Sequence, residues 1–149
     1  MIIYVDTRQK KGKHDIKHSQ LEALGHTLIS KKLDCADYCS DNSNVVIDTK
    51  QDMDELYLDL FSEHARFARE IRLAQRQNKK LIILVEDDKI KSLSDIKKWK
   101  SKRGKANGTV LFDKMMKLKY AYDVDYRFCS KENAGLEIVK LLVDYSEPI

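Results

Sequence analysis

Short apolar runs alternate along the chain with longer segments in which apolar residues recur every three to four positions. The short runs favour strands, because they are rich in β-branched residues, and the longer segments favour amphipathic helices. The predicted strands are residues 2–5, 27–29, 45–50, 81–85 and 126–129, and the predicted helices are residues 14–24, 52–74, 110–122 and 132–145. This alternation predicts an α/β domain whose central mixed or largely parallel sheet is flanked by helices.

The apolar pattern also predicts which positions are buried. The run at 81–85 contains no polar residue, so we expect a central strand covered on both faces. Ile16 and Leu24 share one face of the first predicted helix with Leu21, and Gly25 is placed to end that helix in a left-handed conformation. The stripe along the second predicted helix includes His64, which we therefore expect to pack rather than to act as a base.

The strand at 45–50, Val-Val-Ile-Asp-Thr-Lys, ends in a polar pair. Because side chains alternate along a strand, Asp48 and Lys50 emerge on one face. A hairpin through the turn at residues 40–44 would bring Asp37 beside Asp48. Two carboxylates and an amine suit Mg²⁺-dependent phosphodiester hydrolysis, with Asp37 and Asp48 as metal ligands and Lys50 acting on water or phosphate. The alternative is an exposed strand end next to a turn.

Composition narrows the class of protein. The 149 residues suffice for one domain with a substantial core, and 35% charged with 42% hydrophobic residues is typical of a globular chain. The net charge of +4 mildly favours a polyanionic partner. Three cysteines, an odd number, indicate a reducing, cytoplasmic compartment. No apolar window is long enough to span a membrane.

Several motifs, in this order along the chain, resemble the nuclease domain of the XPF family of structure-specific DNA endonucleases. They are Val5-Asp6-Thr7-Arg8, Ala36-Asp37-Tyr38, Val46-Ile47-Asp48-Thr49-Lys50 followed by Asp54, the Arg66-x3-Glu70 spacing, and residues 82–86. The resemblance implies a three-layer restriction-endonuclease-like fold of the PD-(D/E)xK type. It also implies Mg²⁺-dependent cleavage of branched or junction DNA in repair or recombination, with Mn²⁺ able to substitute and no nucleotide cofactor.

The resemblance implies roles at the matching positions. The implied catalytic residues are Asp6, Asp37, Asp48, Lys50 and Glu70, of which the three aspartates are the implied metal ligands. Arg66 matches the family's helical arginine, although Glu70 could instead be a helix-surface acid paired with Arg66 or Arg69. This chain departs from the family where Ala36 replaces a glycine, Asp48 replaces a glutamate and Thr49 stands where an arginine is expected.

DNA contacts are predicted from basic residues, and self-association is predicted from the resemblance to the family. The residues expected to contact DNA are Arg8, Arg66, Lys97, Lys98, Lys100 and Arg103, while Trp99 could stack on a base or anchor its segment in the core. No helix-hairpin-helix module follows, so selection of branched DNA would come from dimerisation, a partner or residues 89–105. We expect a homodimer through the apolar last two helices and a prokaryotic or viral source. The alternative function is an inactive pseudonuclease that binds DNA or a partner protein.

Overall fold

A six-stranded mixed sheet with helices on both faces forms the centre of the molecule. The computed structural model describes residues 1–9, 12–101 and 107–146. The strands are β1 (Ile2–Asp6), β2 (Thr27–Lys31), β3 (Tyr38–Cys39), β4 (Val45–Lys50), β5 (Lys80–Glu86) and β6 (Asp125–Cys129). The helices are α1 (Asp15–Ala23), α2 (Met53–Phe61), α3 (His64–Arg76), α4 (Leu93–Ile96), α5 (Gly108–Tyr122) and α6 (Ala134–Asp144). The described helices include none that is long and apolar enough to cross a membrane.

The strand order is β2-β1-β3-β4-β5-β6, and β3 runs antiparallel to both of its neighbours while the other pairs are parallel. On one face of the sheet, Val46 and Ile83 belong to a core that is completed by residues of α2 to α5. On the other face, Ile47 and Leu84 pack with residues of α1 and α6. The predicted three-layer α/β architecture is confirmed, and β5 is buried on both faces as expected.

The end of β4 lies inside this packing. Asp48 and Lys50 follow Val46 on the face covered by α2 and α3, and they are only 5% and 6% exposed. Their β5 neighbours in the register are Ile83 and Val85, both fully buried. The alternative of an exposed strand end is therefore wrong, because helices cover the point at which the polar pair emerges.

Two helices occupy the segment for which one continuous helix was predicted. The backbone N–H groups of Ser62 and Glu63 both donate to Leu58 O, at 2.8 and 2.9 Å, which ends α2 before α3 begins. The break changes the angular relation between the two halves of the apolar stripe. As a result His64, the first residue of α3, is exposed, and the prediction that it packs is wrong.

The buried side of α1 also differs from the prediction. Ile16 is 61% and Leu24 is 49% exposed, whereas Leu21 is fully buried and Lys17 is 2% exposed. Lys17 Nζ donates to Glu86 Oε2 at 2.6 Å, so an ion pair takes the place that an apolar contact was expected to fill. The predicted left-handed stop after α1 is confirmed at Gly25, which has φ +89°.

The buried ion pair generates a stability prediction. Lys17→Met leaves the Glu86 carboxylate buried without its counter-charge, so we expect the free energy of unfolding to fall by about 3–5 kcal/mol in urea denaturation. The double variant Lys17→Met/Glu86→Leu removes both charges and is expected to recover most of that loss. If Lys17→Met were as stable as the wild type, the buried ion pair between Lys17 and Glu86 would be contradicted.

Candidate active site

Asp37 is placed by the backbone between β1 and β4. Its N–H donates to Ile47 O at 2.9 Å, and its carbonyl accepts from Asp6 N at 2.9 Å. This bridge sets the Asp37 side chain beside the end of β4, where its carboxyl group lies within hydrogen-bonding range of that of Asp48. The structure thus brings together the two acids that the predicted hairpin was expected to join.

Thr49 orients the Asp37 carboxylate. Both Thr49 N and Thr49 Oγ1 donate to Asp37 Oδ2, at 2.9 and 3.0 Å. Both bonds go to the same carboxylate oxygen and fix its position. The residue that stands in place of the family's arginine therefore stabilises one of the two candidate metal ligands by direct hydrogen bonds.

Ala36 adopts a conformation that favours glycine. Its φ of +64° is in the left-handed region, where a Cβ costs roughly 1–2 kcal/mol. Ala36 N donates to Glu70 Oε1 at 2.7 Å, which stabilises this turn immediately before Asp37. Glu70 is therefore more than a helix-surface acid, and Arg66 lies 3.7 Å from Glu63 instead.

Lys50 lies between two carboxylates. Its Nζ is 2.8 Å from Asp48 Oδ2 and also forms an ion pair with Asp59, a residue of α2. Sequence reasoning missed Asp59. The available signal was its spacing of four residues from Glu55 in the helix that follows the strand, which places two acids on one helical face.

Asp6 lies in the same cleft, but its oxygens are already engaged. Arg8 Nε donates to both of them, at 3.2 and 3.0 Å, and Leu33 N donates to Oδ1 at 3.0 Å. A terminal nitrogen of Arg8 also donates to Leu33 O at 2.6 Å. In this arrangement the Asp6 carboxylate holds Arg8 at the rim of the cleft.

These side chains line one cleft with a volume of about 680 Å³ and an excess of acid. Its acidic residues are Asp6, Asp34, Asp37, Asp48, Glu55, Asp59, Glu63 and Glu70, and its cationic residues are Arg8, Lys13, Lys50, Arg66 and Arg69. Of the residues predicted to contact DNA, Arg8 and Arg66 line the cleft. Lys97, Lys98 and Lys100 are exposed outside its lining, and Arg103 lies outside the described residues. Trp99 is half-buried against Tyr57, with 6.1 Å between ring centroids.

Burial and mutual repulsion perturb the acids in the cleft. Burial raises the pKa of Asp48 to about 8, with Asp37 adding to the shift and Lys50 opposing it. Burial and the Asp48 charge raise the pKa of Glu70 to about 8, and burial raises the pKa of Asp37 against its bonds from Thr49. Burial disfavours the Lys50 cation, yet Asp48 and Asp59 outweigh it and raise the Lys50 pKa. These three acids are therefore harder to ionise than in water, chiefly because they are shielded from solvent, and Lys50 opposes the shift at each of them without cancelling it.

The donor set fits a divalent cation held by two carboxylates. Asp48 Oδ2 is buried and, within the described part of the chain, has no hydrogen bond of good geometry, although Lys50 Nζ lies 2.8 Å away as an ion pair. In residues 1–9, 12–101 and 107–146, no three His, Cys, Asp or Glu side chains are arranged to hold a metal. Mg²⁺ usually takes one or two protein carboxylates, and Asp37 with Asp48 meets that requirement.

Because the pKa of Glu70 is raised, we predict that replacing Glu70 with the neutral glutamine stabilises the protein in a pH-dependent way. Its neutral form favours folding; this contribution is complete below the ordinary pKa of 4.5 and is lost as pH rises through about 8. In metal-free buffer, Glu70→Gln should therefore raise the free energy of unfolding by roughly 1–3 kcal/mol above pH 8 and leave it unchanged near pH 4.5. The exposed Glu22→Gln is the matched control in urea denaturation. If Glu70→Gln were less stable than the wild type above pH 8, the raised pKa of Glu70 would be contradicted.

Comparisons with known proteins agree with this geometry. A family model described as the ERCC4 domain matches residues 5–142. XPF from Aeropyrum pernix superposes with a TM-score of 0.73 at 21% identity, covering 99% of this chain and 63% of that one. XPF from the same organism in complex with DNA gives a TM-score of 0.72 at 20% identity, covering 95% and 63%. No curated protein sequence matches.

The two solved structures share their fold with this chain, which spans 63% of their length. The family model covers most of the chain and both metal-ligand candidates. The XPF-family resemblance of the sequence motifs is thereby confirmed, and the chain belongs to the ERCC4 domain family.

Proposed function

We propose that the chain is a Mg²⁺-dependent DNA endonuclease that cleaves branched or junction DNA. The observation that supports this best is the convergence of Asp37, Asp48 and Lys50 in one cleft, with Asp48 buried, Asp37 half-buried and the pKa values of both aspartates raised. Family membership agrees with the same chemistry. We further propose that the activity serves DNA repair or recombination in the cytoplasm.

Asp37 and Asp48 would hold the ion, and a bound Mg²⁺ would polarise the scissile phosphate and favour ionisation of the attacking water. Lys50 lies where its ammonium can orient that water or offset charge that develops on the phosphate. Thr49 and Glu70 keep Asp37 in place through the bonds described above. Asp6 contributes by fixing Arg8. Mn²⁺ is expected to substitute, since it accepts similar oxygen ligands.

The acidic cleft would attract the negatively charged DNA backbone only when a cation is bound in it. Among the described residues, eight acidic and five cationic side chains line it, so a phosphodiester approaching the metal-free site would meet an excess of acid. Arg8 and Arg66 are 58% and 77% exposed at the rim, where they can contact phosphates on either side of the scissile bond. The structure of XPF from Aeropyrum pernix in complex with DNA has the same fold as this chain.

Cleavage assays test the proposal. We expect purified protein to cut labelled forks, flaps and four-way junctions in Mg²⁺ but not in EDTA. Asp48→Asn and Lys50→Met remove a ligand and the ammonium, and should each lower kcat at least ~100-fold. Arg66→Ala should weaken binding and reduce the salt slope by about one unit.

Glu22→Gln, an exposed change on α1, is the control and should cut at the wild-type rate. No cleavage of any branched substrate, or cleavage undiminished in both site variants, would overturn the proposal.

A pseudonuclease that binds DNA or a partner protein is the second candidate. The observation that favours it is the absence, within the described residues, of a third acid arranged with Asp37 and Asp48 to hold a metal. Calorimetry separates the two functions. An enzyme should take up Mg²⁺ in a manner abolished by Asp37→Asn and Asp48→Asn, whereas a binding module should hold branched DNA without such uptake.

Self-association is a further part of the proposal. Large apolar side chains are exposed on α5 and α6, namely Val110, Tyr120, Tyr122, Leu136 and Val143. Tyr120 is 79% exposed in a shallow groove that is also lined by Asp113, Met116, Lys117 and Ala121. Exposed apolar side chains are often covered by a partner in an assembly, and we propose a homodimer through these two helices.

Light scattering at micromolar concentration tests this assembly. We expect the mass of two chains for the wild type and of one chain for Tyr120→Lys, because the added charge cannot be buried without a partner. Ile29→Lys, a 40% exposed position on the edge strand β2, should remain dimeric. A monomeric wild type would contradict the homodimer.

A further inference from the structure

The Lys50 ammonium is shared by carboxylates from two different elements. Asp48 lies two residues before it on β4, with 2.8 Å between Nζ and Oδ2, whereas Asp59 reaches it from α2. Lys50 is 6% exposed, and the charges of these two acids are the ones that raise its pKa. The strand motif by itself supplies only the first of them.

Asp48 has two competing partners in the proposed function. A divalent cation bound to its carboxylate would offset the attraction that Asp48 exerts on Lys50. The cation would also repel the ammonium directly, and in an enclosed site that repulsion is far stronger than in water. If Asp48 were its only counter-charge, Lys50 would be displaced when the ion binds, and its amine would leave the reacting phosphate.

Asp59 is held in place by a capped and packed helix. Its helix starts directly after β4 and is capped by Asp52, whose Oδ1 accepts from Glu55 N at 2.8 Å. Leu56 and Leu60, both fully buried, anchor the same helix against the sheet. Asp59 is 24% exposed on the cleft wall, so its carboxylate is supported by a packed helix rather than by a loop.

We propose that Asp59 is a positioning residue for Lys50: it holds the ammonium in the cleft independently of Asp48 and leaves the Asp48 carboxylate available to a metal ion. The inference rests on the proposed nuclease function only for its kinetic consequence. The ion pair and its dependence on each acid are properties of the metal-free protein.

Lysine ammonium NMR tests the ion pair without any activity. A sheltered ammonium exchanges its protons slowly and gives an H–¹⁵N cross-peak, which is assigned to Lys50 by its loss in Lys50→Arg. We expect the peak to persist in Asp48→Asn, to disappear in Asp59→Ala and to return in Asp59→Glu. Alanine suits a helix interior, so Asp59→Ala should keep the wild-type amide spectrum elsewhere. Persistence of the peak in Asp59→Ala, or its loss in Asp48→Asn alone, would overturn the proposal.

Kinetics on branched DNA distinguish positioning from a structural role. Asp59→Ala should lower kcat about 10–100-fold while KM stays within about twofold, since Lys50 is misplaced but the DNA rim is intact. Asp59→Glu should restore most of the rate. Glu22→Gln, which removes an exposed carboxylate from α1 outside the cleft lining, should leave kcat and the peak unchanged.

The two proposals fail in different ways. A wild-type protein that shows the Lys50 peak but cuts no DNA would overturn the nuclease proposal and leave Asp59 supported. A wild-type protein that cuts DNA, with kcat unaltered in Asp59→Ala, would overturn the role of Asp59 alone.

Discussion

The ion pairing of Lys50 inside an acidic cleft is the interaction on which the site depends. Burial raises the pKa values of Asp37, Asp48 and Glu70, and the ammonium of Lys50 opposes these shifts without cancelling them. Such a site is costly to build without a cation, because burial disfavours each ionised acid. In the proposed function, the acid-rich lining of the cleft would favour a divalent ion and would repel phosphate until that ion is bound.

The turn before Asp37 is the second element that the site requires. Ala36 has a left-handed backbone at a position where the family usually has glycine, and the bond from its N–H to Glu70 offsets part of the strain. Thr49, in place of an arginine, donates two hydrogen bonds to Asp37. Two of the three departures of this chain from the family motif, at Ala36 and Thr49, thus act on the orientation of one candidate metal ligand, Asp37.

Much of the fold and the central part of the candidate site could be predicted from the sequence. Side-chain alternation was enough to place Asp48 and Lys50 on one face, and the hairpin was enough to bring Asp37 to Asp48. Asp59 and the buried Lys17 could not be found in the same way, because each depends on an ion pair with a residue far along the chain or on another element. The break between α2 and α3 escaped prediction because the apolar spacing continues across it.

Anomalous scattering from crystals soaked in Mn²⁺ tests the central claim most directly, since it locates the ion itself. The account predicts one strong anomalous peak between the carboxylates of Asp37 and Asp48, and it predicts that Lys50 remains paired with Asp59. In an Asp48→Asn crystal soaked in the same way, this anomalous peak should be absent. A soaked crystal with no peak between these two acids, or with its peak on other residues, would contradict it.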